Sequence, residues 1–186
     1  MMAPSLRDVE AADHDFLLRL YASTRAEELA LTGWDEASCT AFVRMQFTAQ
    51  DRSHRARFPD ANPQMIESDG QPVGRLWVAR GATEIRILDI VLLTSHRARG
   101  IGGWCLLGVL AEAQAAGLPV TLHVEQFNPA RRLYERLGFV PSADQGLHCG
   151  MEWLPDAAML RCAVQEPAVG VDQDHLSSME TCHEQT

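Results

Sequence analysis

Positive charge is scarce in this chain: 16 Lys and Arg stand against 25 Asp and Glu, a formal net charge of −9. Binding nucleic acid through its phosphates needs clustered Lys and Arg, so no nucleic-acid partner is expected. Long apolar runs are missing as well. No stretch approaches the roughly 20 residues of a membrane span, and Met1 to Glu10 lacks the basic-then-apolar shape of a secretory signal, so no membrane association is expected. The five cysteines are odd in number, widely scattered and form no CxxC pattern, which argues against a disulfide framework and against a zinc site. His14, His54, His96, His123 and His148 supply no i, i+4 pair, so no metal is expected. A reducing cytoplasm fits this cysteine usage.

What is present reads as one globular domain. Hydrophobic residues make up 46% and charged residues 22% of the 186. The domain is expected over residues 1–154. An acidic C-terminal tail over 155–186 follows, where periodicity fades, with one short helix over Ala157 to Val164. A monomer or a homodimer is compatible with this length.

Within the domain, Ser5 to Arg7 reads as a short strand, and Phe16, Leu17, Leu20, Tyr21 and Thr24 recur at helical spacing over Ala12 to about Leu31. Asp35 is an N-cap for a second helix with an apolar stripe at Cys39, Phe42, Val43 and Phe47, which fades into the polar stretch Asp51 to Asn62. Three strands follow: one at Met65 to Glu67, its return over Pro72 to Ala79 after the Asp69-Gly70 turn, and one over Glu84 to Leu93. A mostly apolar helix over Ile101 to Ala116 is closed by Gly117, and Val120 to Val124 is a buried-type strand. A last helix over Pro129 to Leu137 is stopped by Gly138, before two strands near Phe139 to Ala143 and Leu147 to Trp153. The class is α+β, a mixed central sheet with helices on both faces.

The segment with chemistry is the junction Arg97-Ala98-Arg99-Gly100-Ile101-Gly102-Gly103, between a strand and a long helix. Glycines there let backbone approach a ligand, and the first N–H groups of the helix lack intrahelical partners. Arg97 and Arg99 add fixed positive charge, so a diphosphate is the natural guest. A dinucleotide fingerprint would need glycine at position 105, which is Cys105, and no Gly-Lys-Ser/Thr triplet exists for a nucleotide P-loop. Cys105 lies in the first helical turn, where the dipole would lower its pKa; a packed buried thiol is the favoured alternative.

Arg97, Gly100 and Gly102 match a Gln/Arg-x-x-Gly-x-Gly/Ala loop. Asn128-Pro129-Ala130-Arg131-Arg132-Leu133-Tyr134-Glu135-Arg136-Leu137-Gly138-Phe139 matches N-x-x-A-x-x-x-Y-x-x-x-G-F. Together they resemble the GNAT acetyltransferase superfamily. That resemblance implies the GNAT fold, acetyl-CoA as donor and an N-acetyltransferase acting on a primary amine. It implies that Arg97, Arg99, Gly100, Ile101, Gly102 and Gly103 hold the pyrophosphate, that backbone around Leu92 binds the pantetheine, and that Asn128 contacts the CoA arm. The thioester would lie in the wedge between the strands Glu84 to Leu93 and Val120 to Val124. Tyr134 would protonate the leaving thiolate. Asn128 also explains itself as an N-cap.

The general base is open. Many family members carry Glu eleven residues before the loop arginine, and here that position is Arg86. Glu84, two residues earlier and on the same side of the strand, is the candidate base, with a simple pair to Arg86 as the alternative. Asp89, counted by strict alternation, faces the other side. For the acceptor, Glu28 with Glu27 could bind an ammonium group or be a solvated helix end. Gln46 and Gln50 continue the stripe of the second helix and either line a pocket or find buried partners. The competing reading is a non-catalytic CoA sensor or interaction module on the same fold.

Overall fold

The computed structural model describes residues 3–145 and 148–156. The expected helix over Ala157 to Val164, and the tail beyond Asp156 as a whole, lie outside the described residues. Seven strands form one sheet in the order β1-β2-β3-β4-β5-β7-β6, with β1 Ser5–Asp8, β2 Pro63–Ser68, β3 Gln71–Arg80, β4 Ile85–Leu92, β5 Val120–Glu125, β6 Val140–Gln145 and β7 His148–Trp153. Only β4 and β5 are parallel, as the intervening helix requires, and every other pair is antiparallel.

Four helices cover the two faces: α1 His14–Ala30, α2 Glu36–Arg57, α3 Ile101–Ala116 and α4 Arg131–Arg136. On one face α3 buries Ile101, Cys105, Leu106, Val109, Leu110 and Ala113 against Ile85, Ile87, Val120 and Leu122, with Tyr134 of α4 in the same cluster. On the other, Leu17, Leu20 and Tyr21 of α1 and Val43 and Phe47 of α2 close over Met65, with Val91 at the margin. The α+β reading and the element order stand.

Two helix boundaries differ from expectation. Asp35 caps α2 by accepting from the Ser38 N–H, but the helix then runs on to Arg57 through the stretch read as polar. The reason is tertiary. His54 stacks edge-on against the ring of Trp77 at 4.9 Å, Arg55 lies over the same ring at 5.6 Å, and Asp51 pairs with Arg55 at 2.8 Å one turn apart. Trp77 itself is fully buried, so a helix that is polar in sequence has a buried anchor. Conversely α4 is shorter than Pro129 to Leu137, because its first turn closes with i→i+3 bonds such as Leu133 N–H to the Ala130 carbonyl at 2.9 Å.

The sheet splits between β4 and β5. Register between β4 and β5 covers Ile85 to Ile87 against Val120 to Leu122, although both strands continue, to Leu92 and Glu125. Beyond Ile87 the two diverge into a wedge. A bulge helps to open it: Val78 aligns with Ile87 and Trp77 with Asp89, leaving Leu88 as the extra residue. Arg86, aligned with Ala79, and Asp89, aligned with Trp77, therefore face the same side, that of α1 and α2. The sequence reading of Asp89 as facing away is corrected: alternation counted through a bulge slips by one residue.

Gly74 fixes the far end of this arrangement, and no motif singled it out. A Cβ there would lie 2.3 Å from the Val91 carbonyl oxygen and 2.7 Å from Leu92 Cδ2. The backbone of β4 cannot give way without shifting the strand end. Gly74→Ala is expected to cost about 3 kcal/mol, at the upper end of overpacking effects, read as a fall in the urea midpoint with unchanged slope. A midpoint equal to the wild type would show that β4 tolerates displacement at Leu92.

Candidate active site

The junction between β4 and α3 is built as an anion cradle. Ala98 has φ +58° and Gly100 φ +82°, two left-handed residues at alternate positions. Such alternation curls the chain so that successive N–H groups converge on one point. Ala98 is the unusual member, because a side chain disfavours that conformation, and such strain clusters at ligand sites. The first helical N–H with a partner is that of Trp104, which donates to the Gly100 carbonyl at 2.9 Å. The N–H groups of Ile101, Gly102 and Gly103 precede it at the positive end of a 16-residue helix. Arg97 is latched to the strand end, its Nε donating to the Leu92 carbonyl at 3.0 Å. That bond uses one edge of the guanidinium and holds Leu92 and the loop in fixed relation.

Leu92, Gly102 and the helix of Tyr134 meet here. A Cβ at Gly102 would be 3.6 Å from Leu133 Cδ2 and 3.8 Å from Leu92 Cδ1, ordinary contact distances. Tyr134, next to Leu133, is 6% exposed and packs edge-on to Phe139 at 5.8 Å. Its hydroxyl makes no hydrogen bond among the described residues. Burial, with the negative charge of Asp89 second, pushes its pKa up to about 12, so the phenol keeps its proton throughout the ordinary pH range. Asn128 accepts from the Ala130 N–H at 2.9 Å, the local capping role that its position before Pro129 suggests.

Other expected site residues fall elsewhere. Glu84 precedes β4, eight positions from Leu92, and a strand of that length spans roughly 25 Å. Its carboxylate pairs with Arg86 at 3.0 Å and accepts from the Thr121 hydroxyl at 2.9 Å. The structure does not bring Glu84 to Tyr134. Glu28 is exposed and pairs with Arg25 at 3.2 Å on its own helix. Gln46 is exposed, whereas Gln50 accepts from buried Arg75 at 3.2 Å; the amide stripe divides into one solvated and one partnered residue. Cys105 is buried, and burial pushes its thiol up to about 11. The lowering expected from the helix dipole is thus outweighed, and the thiol is inert at neutral pH. Among the described residues no group of three or more His, Cys, Asp and Glu is arranged to hold a metal, and no helix is long and apolar enough to cross a membrane.

Sequence reasoning missed the ion pair beneath the wedge. Arg75 of β3, only 4% exposed, donates through Nε to Asp89 Oδ2 at 3.0 Å and through Nη2 to the same oxygen. The signal was available as an arginine inside an otherwise apolar strand, Val73 to Ala79, since a buried cation requires a partner.

The GNAT acetyltransferase family model matches residues 24–139, more than half of the chain, from the second half of α1 through the cradle to Phe139. The chain belongs to the GNAT acetyltransferase family. No curated protein matches it in sequence. Its fold is that of solved acetyltransferases. The PaiA N-acetyltransferase of Thermoplasma acidophilum, in complex with coenzyme A, superimposes with a TM-score of 0.63 at 17% identity, over 82% of this chain and 99% of that one. An acetyltransferase of Thermus thermophilus gives 0.61 at 21% identity, over 82% and 97%. A chimera of the Vibrio cholerae spermidine N-acetyltransferase SpeG with hSSAT gives 0.58 at 19% identity, over 82% and 96%. At these identities the GNAT likeness speaks to architecture, and the chemistry must be argued from the residues.

Proposed function

We propose that this GNAT protein transfers an acetyl group from acetyl-CoA to a primary amine. The observation that carries the reading is the cradle: left-handed Ala98 and Gly100, the N–H groups of Ile101, Gly102 and Gly103, which have no backbone partner among the described residues, and Arg97 tied to Leu92. Arg97, Arg99 and these N–H groups hold the pyrophosphate, Asn128 flanks the CoA arm, and the pantetheine enters the wedge along the unpaired edge of β4 near Leu92. Acetyl-CoA is thus a donor substrate and no metal is invoked. An amine attacks from the α1 and α2 side, and Tyr134 donates a hydrogen bond to the departing sulfur. The protonated Tyr134 hydroxyl makes no hydrogen bond among the described residues and can donate to a departing sulfur, which favours this over the binding-module reading.

Acetyl-CoA at about 100 times its Kd should stabilise the protein by about 2.7 kcal/mol, a rise in Tm of roughly 5–10 °C. NAD and ATP, which offer phosphates but no pantetheine, should give much smaller shifts in the same scan. Equal shifts from all three would reduce the cradle to a generic anion nest. Consumption of acetyl-CoA is then followed over an amine panel of polyamines, aminoglycosides, amino acids and peptide N-termini. The sequence contains no lysine, so self-acetylation of side-chain amines cannot confound the panel. CoA binding with no amine turned over would favour the non-catalytic sensor.

A further inference from the structure

An attacking amine must lose a proton, and the two carboxylates of the β4 segment, Glu84 and Asp89, are committed. Glu84 is held by Arg86 and Thr121 and stands at the far end of β4. Asp89 lies at the bulge but is bonded by two nitrogens of Arg75. The position eleven residues before Arg97 is itself an arginine.

A titratable side chain with no such commitment stands where β4 and β5 part. His123 follows Leu122, the last residue of β5 in register with β4, and so stands where the strands part. It shares a strand face with Thr121, which bonds Glu84, and this is the side of α1 and α2. Leu122 and Val124, its neighbours, point the other way into the cluster that holds Tyr134. Its cross-strand partner on β7 is Gly150, which puts no side chain opposite it. It is reachable from solvent and makes no hydrogen bond or ion pair among the described residues.

We propose that the imidazole of His123 accepts the proton of the attacking amine, on the sheet face opposite Tyr134. This rests on the acetyl-transfer reading above. The amine lone pair attacks the acetyl carbonyl carbon, forming the C–N bond and a tetrahedral oxyanion. One proton of the new ammonium passes to the unprotonated ring nitrogen of His123. The oxyanion collapses, the C–S bond breaks, and its electron pair leaves on sulfur as a thiolate that accepts the Tyr134 hydrogen bond. The imidazolium returns its proton to solvent. Entry of the amine and exit of the thiolate thus take place on opposite faces of the sheet, joined through the wedge.

The electrostatics agree with the geometry. Partial burial first, then the positive charges of Arg86 on β4, His148 on β7 and Arg57 at the end of α2, push the His123 pKa below its usual 6.5, against the opposing charge of Glu84. The ring is therefore neutral at pH 7 and able to take a proton. Because the charged form loses the proton-accepting site, turnover should fall as pH drops through a midpoint below 6.5.

The test uses the full chain with nitrogen-15-labelled histidine. The ring signals of His123 are expected to move on adding acetyl-CoA but not on adding CoA, while those of His148 respond alike to both. His123→Gln should retain CoA affinity, lower kcat by about 10²-fold with the fastest amine of the panel, and lose the acid limb of the kcat profile. Added imidazole should restore part of the activity of His123→Ala, and His148→Gln should stay within about twofold of the wild type. Identical His123 signals with CoA and acetyl-CoA, or an unchanged kcat and acid limb in His123→Gln, would overturn the inference. A panel in which no amine consumes acetyl-CoA would bring down the transferase reading instead, and the acetyl-dependent signal would still decide whether His123 meets the acetyl group.

Discussion

Tyr134→Phe is expected to lower kcat by about 10²-fold while leaving CoA affinity unchanged. The ring keeps its contact with Phe139 and its place among Leu133, Val124 and Ile101, so packing is preserved and the hydroxyl alone is lost. The size of the effect follows from the acidity of the group. With its pKa near 12, the phenol is a weaker acid than an ordinary thiol at about 8.5, so the proton remains mostly on oxygen at equilibrium. Its contribution is then a charge-assisted hydrogen bond to the developing thiolate, worth roughly 1.5–3 kcal/mol, which places the effect nearer 10²-fold than 10⁴-fold. A second consequence separates this role from others. No alkaline loss of activity below about pH 11 should come from Tyr134, because its ionisation lies above that range. Single-turnover kinetics on the variant with saturating acetyl-CoA make the comparison. A change confined to the apparent affinity for the amine, with kcat intact, would assign Tyr134 to uniform binding and remove it from thiolate departure.

Much of the fold was legible because its signals are local. Gly117 terminates α3 with φ +67°, and Asp35 caps α2 through the Ser38 N–H, as their residue types require. The cradle was legible for the same reason: three glycines, two arginines and a helix start lie within seven residues. What could not be read is what depends on pairing across the sheet. The bulge at Leu88 has no signature in β4 itself, since it is defined by the register with Val78 and Trp77, and it reversed the facing assigned to Asp89. The extension of α2 to Arg57 depends on Trp77, which lies 20 or more residues away in sequence. Glu84 was singled out for sharing a strand face with position 86, and its engagement by Arg86 and the Thr121 hydroxyl depends on the pairing of β4 with β5.

Asp89→Ala is expected to destabilise the protein strongly. Arg75 is 4% exposed and its Nε and Nη2 both go to Asp89, so removing the carboxylate leaves a buried guanidinium whose partners among the described residues are Gln50, at 3.2 Å, and the face of Trp77, at 5.4 Å. Breaking one side of a buried pair typically costs about 3–5 kcal/mol, and the solvent access of Asp89 together with the remaining Gln50 contact places this case near 3 kcal/mol, or roughly 6–12 °C in Tm. The loss belongs to the uncompensated charge and not to the pair as such. The double variant Arg75→Met, Asp89→Leu should therefore recover most of the stability, because apolar residues of similar volume carry no desolvation penalty. Its donor affinity is the informative reading. Arg75 and Asp89 tie β3 to β4 at the bulge where β4 parts from β5. If they serve only to neutralise each other, the double variant binds CoA like the wild type. If they hold the wedge open, CoA affinity falls although stability has returned. A double variant as unstable as Asp89→Ala would contradict the buried-charge account itself, since no unpaired charge would remain to explain the loss.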